Sequence, residues 1–152
     1  KAMIIQCSIF TLAHSISLAL SASNRISYDS LYIEPVITMT IFFSALQNIV
    51  TAKMSKWRLG LVFLFGLIHG MGFASALKQN DIPENQFTSA LVGFNVGVEI
   101  AQITIILISY WSLSKWFCHK AWYKNKIVYP ASTIIACIAL YWTILRFNGL
   151  SY

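Results

Sequence analysis

Five long apolar stretches, separated by short polar gaps, dominate the sequence of this 152-residue chain. A helix rises about 1.5 Å per residue, so about 20 residues are needed to cross a hydrocarbon layer roughly 30 Å thick. A backbone surrounded by lipid must satisfy its own hydrogen bonds, which favours helices. We therefore predict an all-α, polytopic transmembrane bundle that forms a single domain over residues 1–152, with spans at about 2–22, 31–52, 58–77, 88–113 and 127–147.

The composition supports a membrane location and argues against a polyanionic partner. Hydrophobic residues make up 57% of the chain and charged residues 11%, against roughly 45–50% and 25% in soluble domains. A net charge of +6 would suit nucleic acid, but the 11 Lys and Arg residues lie in short gaps or at the edges of apolar stretches. They form no long basic tract. The lipid bilayer is therefore the expected partner, and nucleic acid is not.

The basic residues fall unevenly on the two sides that alternating spans define. Cytoplasmic loops of membrane proteins carry an excess of Lys and Arg, so the side with more of them is expected to be cytoplasmic. Lys1 would then lie inside and Tyr152 outside. The richer side holds Lys1, Lys53, Lys56, Arg58, Lys115, Lys120, Lys124 and Lys126, and the poorer side holds Arg25, Lys78 and Arg146.

Four histidine and glutamate residues lie inside the predicted spans, where a charged group costs a few kcal/mol or more. His14, His69 and Glu99 are close to the middle of three different spans, whereas Glu34 is about one turn below the outer end of the second. Two imidazoles and a carboxylate form an incomplete ligand set suited to a divalent zinc, nickel, cobalt or iron ion. We predict that these three side chains form a site halfway through the membrane.

Polar neighbours of Glu99 strengthen this interpretation. Asn95, Glu99 and Gln102 recur at intervals of four and three residues, which places them on one stripe of a helix. Asn95 and Gln102 are expected to orient Glu99 or a ligating imidazole. In the second span, Glu34 and Asn48 share a face, and we expect both to belong to a pathway for the ion.

Two pairs of glycines are spaced as helix-packing ridges. Gly66 and Gly70 flank His69 in the third span, and Gly93 and Gly97 form a GxxxG pair in the fourth. Such ridges let helix backbones approach closely in lipid. A short loop joins the third and fourth spans, so we predict that they are antiparallel neighbours. Their contact would bring His69 within direct or water-bridged reach of Glu99.

Each of these features also has a purely structural interpretation. A buried histidine often only bonds a backbone carbonyl, a buried glutamate is often protonated, and GxxxG by itself indicates helix contact. The convergence of three side chains at one depth favours function over packing. A proton relay through the same groups stays open, because histidine and glutamate both titrate in shifted environments.

Three sequence motifs resemble the HupE/UreJ family of membrane proteins, particularly its second, broader branch. They are FTLAHSISLAL (Phe10–Leu20), FGLIHGMGFASAL (Phe65–Leu77) and GFNVGVEIAQ (Gly93–Gln102). The resemblance implies a nickel or cobalt permease, or an accessory protein, of the bacterial cytoplasmic membrane. It also implies a further helix before Lys1 in the full protein. The matching functional positions are His14, His69, Asn95, Glu99 and Gln102.

The expected function is therefore that of a permease or channel for a divalent transition metal. The alternative is a non-transporting subunit or accessory protein of a membrane complex, with a membrane-protein partner or a second copy of the chain. No nucleotide-binding loop, nucleophile elbow or HExxH motif is present, so an enzyme is not expected. A metal-dependent intramembrane enzyme is a minor further possibility.

Overall fold

The structure is a computed structural model that describes residues 2–23, 25–26, 29–51, 56–79, 82–120 and 122–149. Within these ranges the chain is helical and contains no strand. Five helical segments are long and apolar enough to cross a membrane, which confirms the predicted fold class. The helices are α1 (Ala2–Ala22), α2 (Ser30–Val50), α3 (Lys56–Gln79), α4 (Glu84–Ser109), α5 (Lys115–Phe117) and α6 (Tyr129–Phe147), with π-helical turns at Tyr110–Ser114 and Lys124–Val128.

Local sequence explains where two of the helices begin and end. The side chain of Asp29 accepts a hydrogen bond of 2.9 Å from the backbone N–H of Leu31 and so caps the start of α2. At the other end of the chain, α6 is followed by Gly149, whose φ of 64° lies in the left-handed region. Glycine adopts that conformation without steric cost, which favours it just after a helix.

The fourth and fifth spans are longer than the predicted ones. The helical path that starts with α4 continues through Phe117, and the last span already begins at Lys124. Polar residues at these ends are compatible with a membrane span because a long basic side chain can keep its charge at the interface. The ammonium of Lys115, for example, lies 4.0 Å from the ring centroid of Trp111.

The helices are arranged as a row in which each packs mainly on its neighbours. Helix α6 packs on α2, α2 also contacts α3, α3 packs extensively on α1, and α4 makes its main contact with α1. No residue from Asn85 to Phe117 is fully buried. Helix α4 is therefore the long helix that the rest of the described bundle holds least.

The close contact between α1 and α3 is made by glycine. A Cβ added at Gly66 would lie 2.6 Å from the backbone oxygen of Phe10 and 2.9 Å from the Cβ of Ala13. A Cβ added at Gly70 would meet the backbone oxygen of His14. Only glycine allows the two backbones to approach so closely, so the ridge on α3 is a packing surface as expected.

The predicted partner of that ridge is wrong. Helix α1, and not α4, occupies the face of α3 that carries Gly66 and Gly70. At Gly93 and Gly97 of α4, an added Cβ has nothing within 4 Å among the residues that the structure describes. A ridge of small residues shows that a helix is able to pack closely, but it does not specify which helix covers it.

Candidate metal-binding site between the first and third helices

The imidazole of His14 is the most deeply buried titratable group in the described part of the chain. The residue is 1% exposed, and neither ring nitrogen has a hydrogen-bond partner within that part of the molecule. Its neighbours are mostly aromatic: Phe10 and Phe94 stack on it with centroid distances of 6.1 and 6.2 Å, and the edge contact with Phe73 is 5.5 Å. The amide of Asn95 lies nearby but without good hydrogen-bond geometry.

The second imidazole, His69 on α3, has a defined orientation. Its Nδ1 lies 2.8 Å from the backbone oxygen of Phe65. Because a carbonyl oxygen only accepts hydrogen bonds, Nδ1 carries the proton and Nε2 keeps its lone pair. A backbone carbonyl on one ring nitrogen is the usual support for a histidine that binds a metal through the other. His69 is therefore prepared to act as a ligand through Nε2.

Helix packing brings the two imidazoles near each other. The ring of Phe10 contacts both, with centroid distances of 6.1 Å to His14 and 5.2 Å to His69. The glycine contact between α1 and α3 thus sets the separation of two potential ligands from different helices.

Glu99 lies apart from this pair. Its side chain is exposed and lines, together with Cys7, Thr11 and Gln102, a cavity of about 250 Å³ between α1 and α4. Neither imidazole lines that cavity. Sequence position predicts a common depth for the three ligands, but the rotation of α4 directs the carboxyl to a cavity that neither imidazole lines.

The polar neighbours of Glu99 form hydrogen bonds with α1. The hydroxyl of Thr11 donates to Oε1 of Gln102 at 2.8 Å, and the hydroxyl of Ser15 donates to Oδ1 of Asn95 at 3.0 Å. The Asn95 amide donates to its own helix, at the backbone oxygen of Leu91. These bonds of Asn95 and Gln102 attach α4 to α1, and their support of Glu99 stays a prediction.

Glu34 closes one end of a cavity that reaches His69. The cavity has a volume of about 300 Å³ and lies among α2, α3 and α6. The carboxylate of Glu34 lies 3.5 Å from Nε of Arg146, which belongs to α6. On the other side of His69, a second cavity of about 230 Å³ is lined by Thr40 and Ser44. His69 therefore stands between two cavities along the length of the bundle.

Asn48 lies at the opposite end of α2 from Glu34. Fourteen residues separate them, or about 21 Å along a helix. The side chain of Asn48 is exposed and accepts a hydrogen bond from Arg58 of α3. Asn48 lines neither of the cavities beside His69, so a pathway that includes both Glu34 and Asn48 would run most of the length of α2.

No preformed three-ligand metal site occurs in the described residues. No group of three or more His, Cys, Asp and Glu side chains among them is placed to hold an ion. The arrangement consists of an imidazole pair in an aromatic environment and a carboxylate in a separate cavity. A shared ion for His14, His69 and Glu99 stays a prediction.

These features define the class of the molecule as a multi-pass α-helical membrane protein with ionisable groups inside its bundle. The chain belongs to the HupE/UreJ family, because the family model described as HupE / UreJ protein matches residues 1–146. This confirms the resemblance seen in the three motifs. The family is associated with nickel and cobalt transport or with accessory function. A comparison with curated proteins found no match, and neither did a comparison with solved structures.

Sequence reasoning missed several residues that shape the site. In the sequence, the phenylalanines around His14 could not be distinguished from aromatic residues that face lipid. Arg146 was used only to assign the orientation of the chain in the membrane. One signal was present. Thr11 and Ser15 lie one turn apart on one face of α1, and Asn95 and Gln102 share a stripe of α4, as expected for two helices joined by side-chain hydrogen bonds.

Proposed function

We propose that this protein is a permease for a divalent first-row metal such as nickel or cobalt, with His14 and His69 as the central ligands. The observation that carries the proposal is the state of His14. A buried polar group without a partner is uncommon and costs about 1–3 kcal/mol. An imidazole kept in that state beside a second, oriented imidazole is suited to a partner that arrives and leaves.

Glu99 would complete the ligand set for part of the transport cycle. Helix α4 makes its main contact with α1 and has no fully buried residue along its span. A helix held in this way is able to rotate or slide with little loss of packing. We propose that such a movement brings the carboxylate to the imidazole pair, and that its return releases the ion. An incomplete resting site suits transport, because the ion has to leave again.

The direction of the proposed pathway follows from charge and cavities. By the excess of basic residues, the end of the bundle with Glu34 faces outward and Lys1 faces the cytoplasm of a bacterial cell. An ion would pass Glu34 and reach His69 through the adjoining cavity. Thr40 and Ser44 would follow on the inner side.

Metal uptake by cells that express the full-length protein tests this proposal. His69→Ala and Glu99→Ala, alone and together, are each expected to lower nickel or cobalt uptake by about ten-fold or more, as loss of a ligand usually does. His119→Ala is the matched control, since His119 is exposed in a turn outside the spans. If the double variant retains uptake and metal binding, the site assignment fails.

A second function is favoured by one observation on α4. Gly93 and Gly97 lie about 160° around the helix from Asn95, so their ridge faces away from α1 and contacts nothing in the described part of the chain. An open ridge of this kind is expected of a subunit that seats another helix in a membrane complex. Mass spectrometry of gently solubilised protein separates the two functions. A stoichiometric partner without bound metal would favour the accessory subunit.

A further inference from the structure

An ion pair stands at the end of the cavity that leads to His69. The Glu34 carboxylate and the Arg146 guanidinium approach to 3.5 Å, and Nη1 of Arg146 also lies 3.5 Å from the backbone oxygen of Glu34. Both side chains are partly buried, with exposed fractions of 31% and 28%. Both line the cavity of about 300 Å³ that contains His69. The pair therefore joins α2 to α6 directly across one side of the proposed ion pathway.

The charge of this pair has a consequence for cations. A carboxylate alone at this position would attract a divalent cation, but a paired guanidinium cancels that attraction. The interaction is strong at short range inside a protein, where screening by water is weak. A cation that approaches His69 from this end meets no net negative charge until the guanidinium moves away.

The Arg146 guanidinium has a second favourable contact, with an aromatic ring. Its Cζ lies 5.7 Å from the ring centroid of Trp142, one turn earlier on α6. The face of a tryptophan ring attracts a guanidinium. Arg146 is thus able to leave Glu34 without losing all of its favourable contacts.

We propose that Arg146 determines which ions reach His69 by pairing with the Glu34 carboxylate, and so cancelling its charge, until a divalent cation replaces the guanidinium. The replacement leaves Arg146 against Trp142 and Glu34 bound to the incoming ion. Monovalent cations compete less well with a guanidinium for one carboxylate, because the interaction scales with charge. This inference rests on the proposed transport for its biological meaning. The gate, by which we mean the ion pair of Glu34 and Arg146, is testable without measuring metal flux.

The test measures how fast charged thiol reagents reach the cavity in the full-length protein, reconstituted in lipid vesicles. Cys7, Cys118 and Cys137 are first replaced by alanine, and Ile37, which lines the cavity, is replaced by cysteine. Modification of this cysteine by a cationic and by an anionic methanethiosulfonate is then timed. Arg146→Gln is expected to raise the rate with the cationic reagent by about five-fold or more, because it exposes the Glu34 charge.

Three control variants distinguish the effect of the Arg146 charge from the effect of its side-chain size. Arg25→Gln removes an exposed positive charge at the same end of the bundle and is expected to change the rate by less than about two-fold, since that charge is screened. Arg146→Lys should resemble the parent, because it keeps the positive charge. Adding Glu34→Gln to Arg146→Gln should return the cationic rate toward that of the parent. An unchanged cationic rate in Arg146→Gln, or no reversal by Glu34→Gln, would overturn the proposal.

Nickel influx into the same vesicles distinguishes failure of the gate from failure of transport. Faster nickel influx in Arg146→Gln than in the parent supports both the gate and the proposed metal transport. If the parent carries no nickel while the reagent rates change as expected, the proposed transport is wrong and the gate stands. If nickel enters normally but the reagent rates do not respond to Arg146→Gln, the gate is wrong and transport stands.

Discussion

Among single residues, His14 has the most unusual environment. Three phenylalanine rings surround its imidazole, and neither nitrogen finds a hydrogen-bond partner in the described part of the bundle. A leucine or a fourth phenylalanine would suit the same space better. Under the proposed function, the imidazole is there to bind an ion or a proton, and not to fill space.

Replacing His14 with leucine tests this explanation. Leucine has nearly the same volume and removes two unpaired polar atoms, each of which costs about 1–3 kcal/mol when buried. We expect His14→Leu to unfold in detergent at the same or a higher temperature than the wild type, while metal uptake is lost. A variant that loses stability and keeps uptake would show that the histidine has a structural role.

Gly70 is the residue on which the separation of α1 and α3 depends. In Gly70→Ala the new methyl group would press on the backbone oxygen of His14 and lie 2.9 Å from the backbone nitrogen of Leu18. Neither backbone atom is able to move alone, so we expect a loss of about 1–3 kcal/mol, typical of overpacking. Thermal unfolding in detergent measures it.

Gly60 provides the control for Gly70 on the same helix. An added Cβ at Gly60 has no atom of the described residues within 4 Å. Because alanine is the better helix former by roughly 1 kcal/mol, Gly60→Ala should be neutral or slightly stabilising. Equal destabilisation by both substitutions would contradict the close contact between α1 and α3.

Among the helices, α4 differs from the others in how it is attached. Two side-chain hydrogen bonds and a few aromatic contacts connect it to the described bundle, and its glycine ridge faces outward. The proposed movement of Glu99 depends on this weak attachment. A helix fixed by a wide glycine interface, as α3 is, would not be suited to it.

A double-mutant cycle on Thr11 and Gln102 measures the attachment of α4. Thr11→Val and Gln102→Leu each remove one partner of a hydrogen bond between helices. Their coupling free energy should be about 0.5–1.5 kcal/mol, as for other such bonds in membranes. Thr104→Val with Gln102→Leu is the matched control, because Thr104 bonds only its own helix. A coupling of zero for the first pair would show that the bond does not hold α4.

Sequence predicted the helices well and their neighbours less well. Hydropathy and length identify a span because every residue that crosses the lipid must be compatible with an apolar environment. The sequence predicts five spans, and the structure has five helices that are long and apolar enough. Contact between two helices depends on the rotation of each about its axis, which hydropathy does not encode when all faces are apolar. For this reason the ridge at Gly66 and Gly70 was assigned to α4, although α1 covers it.

The same reasoning applies to the candidate site. Depth in the membrane follows from position along a helix, so the sequence predicts a common level for His14, His69 and Glu99. It does not predict the direction of each side chain, and Glu99 lies in a separate cavity. The pairing of Glu34 with Arg146 joins residues 112 positions apart, and no local pattern in either segment indicates it.

In the whole molecule, the row of helices places two cavities on either side of His69. The ion pair stands at one end of α2, and the contact between Asn48 and Arg58 stands at the other. This arrangement gives the proposed pathway two ends with different charge. Its biological direction depends on which end faces the cytoplasm.

Labelling of single cysteines tests the orientation of the whole molecule. Cys118 is exposed in the turn after α5, on the side with more basic residues. With Cys7 and Cys137 replaced by alanine, we expect an impermeant thiol reagent to label Cys118 only after spheroplasts are opened. A cysteine introduced in place of Ser23, with Cys118 also replaced by alanine, should react in intact spheroplasts. The reverse pattern would invert the proposed direction.

X-ray absorption by nickel or cobalt bound to the full-length protein tests the central claim most directly, because it counts the imidazoles around the ion. The account predicts two in the wild type and in His119→Leu, and one in either His14→Leu or His69→Leu. A metal shell without imidazole, or one that neither substitution changes, would contradict a site shared by α1 and α3.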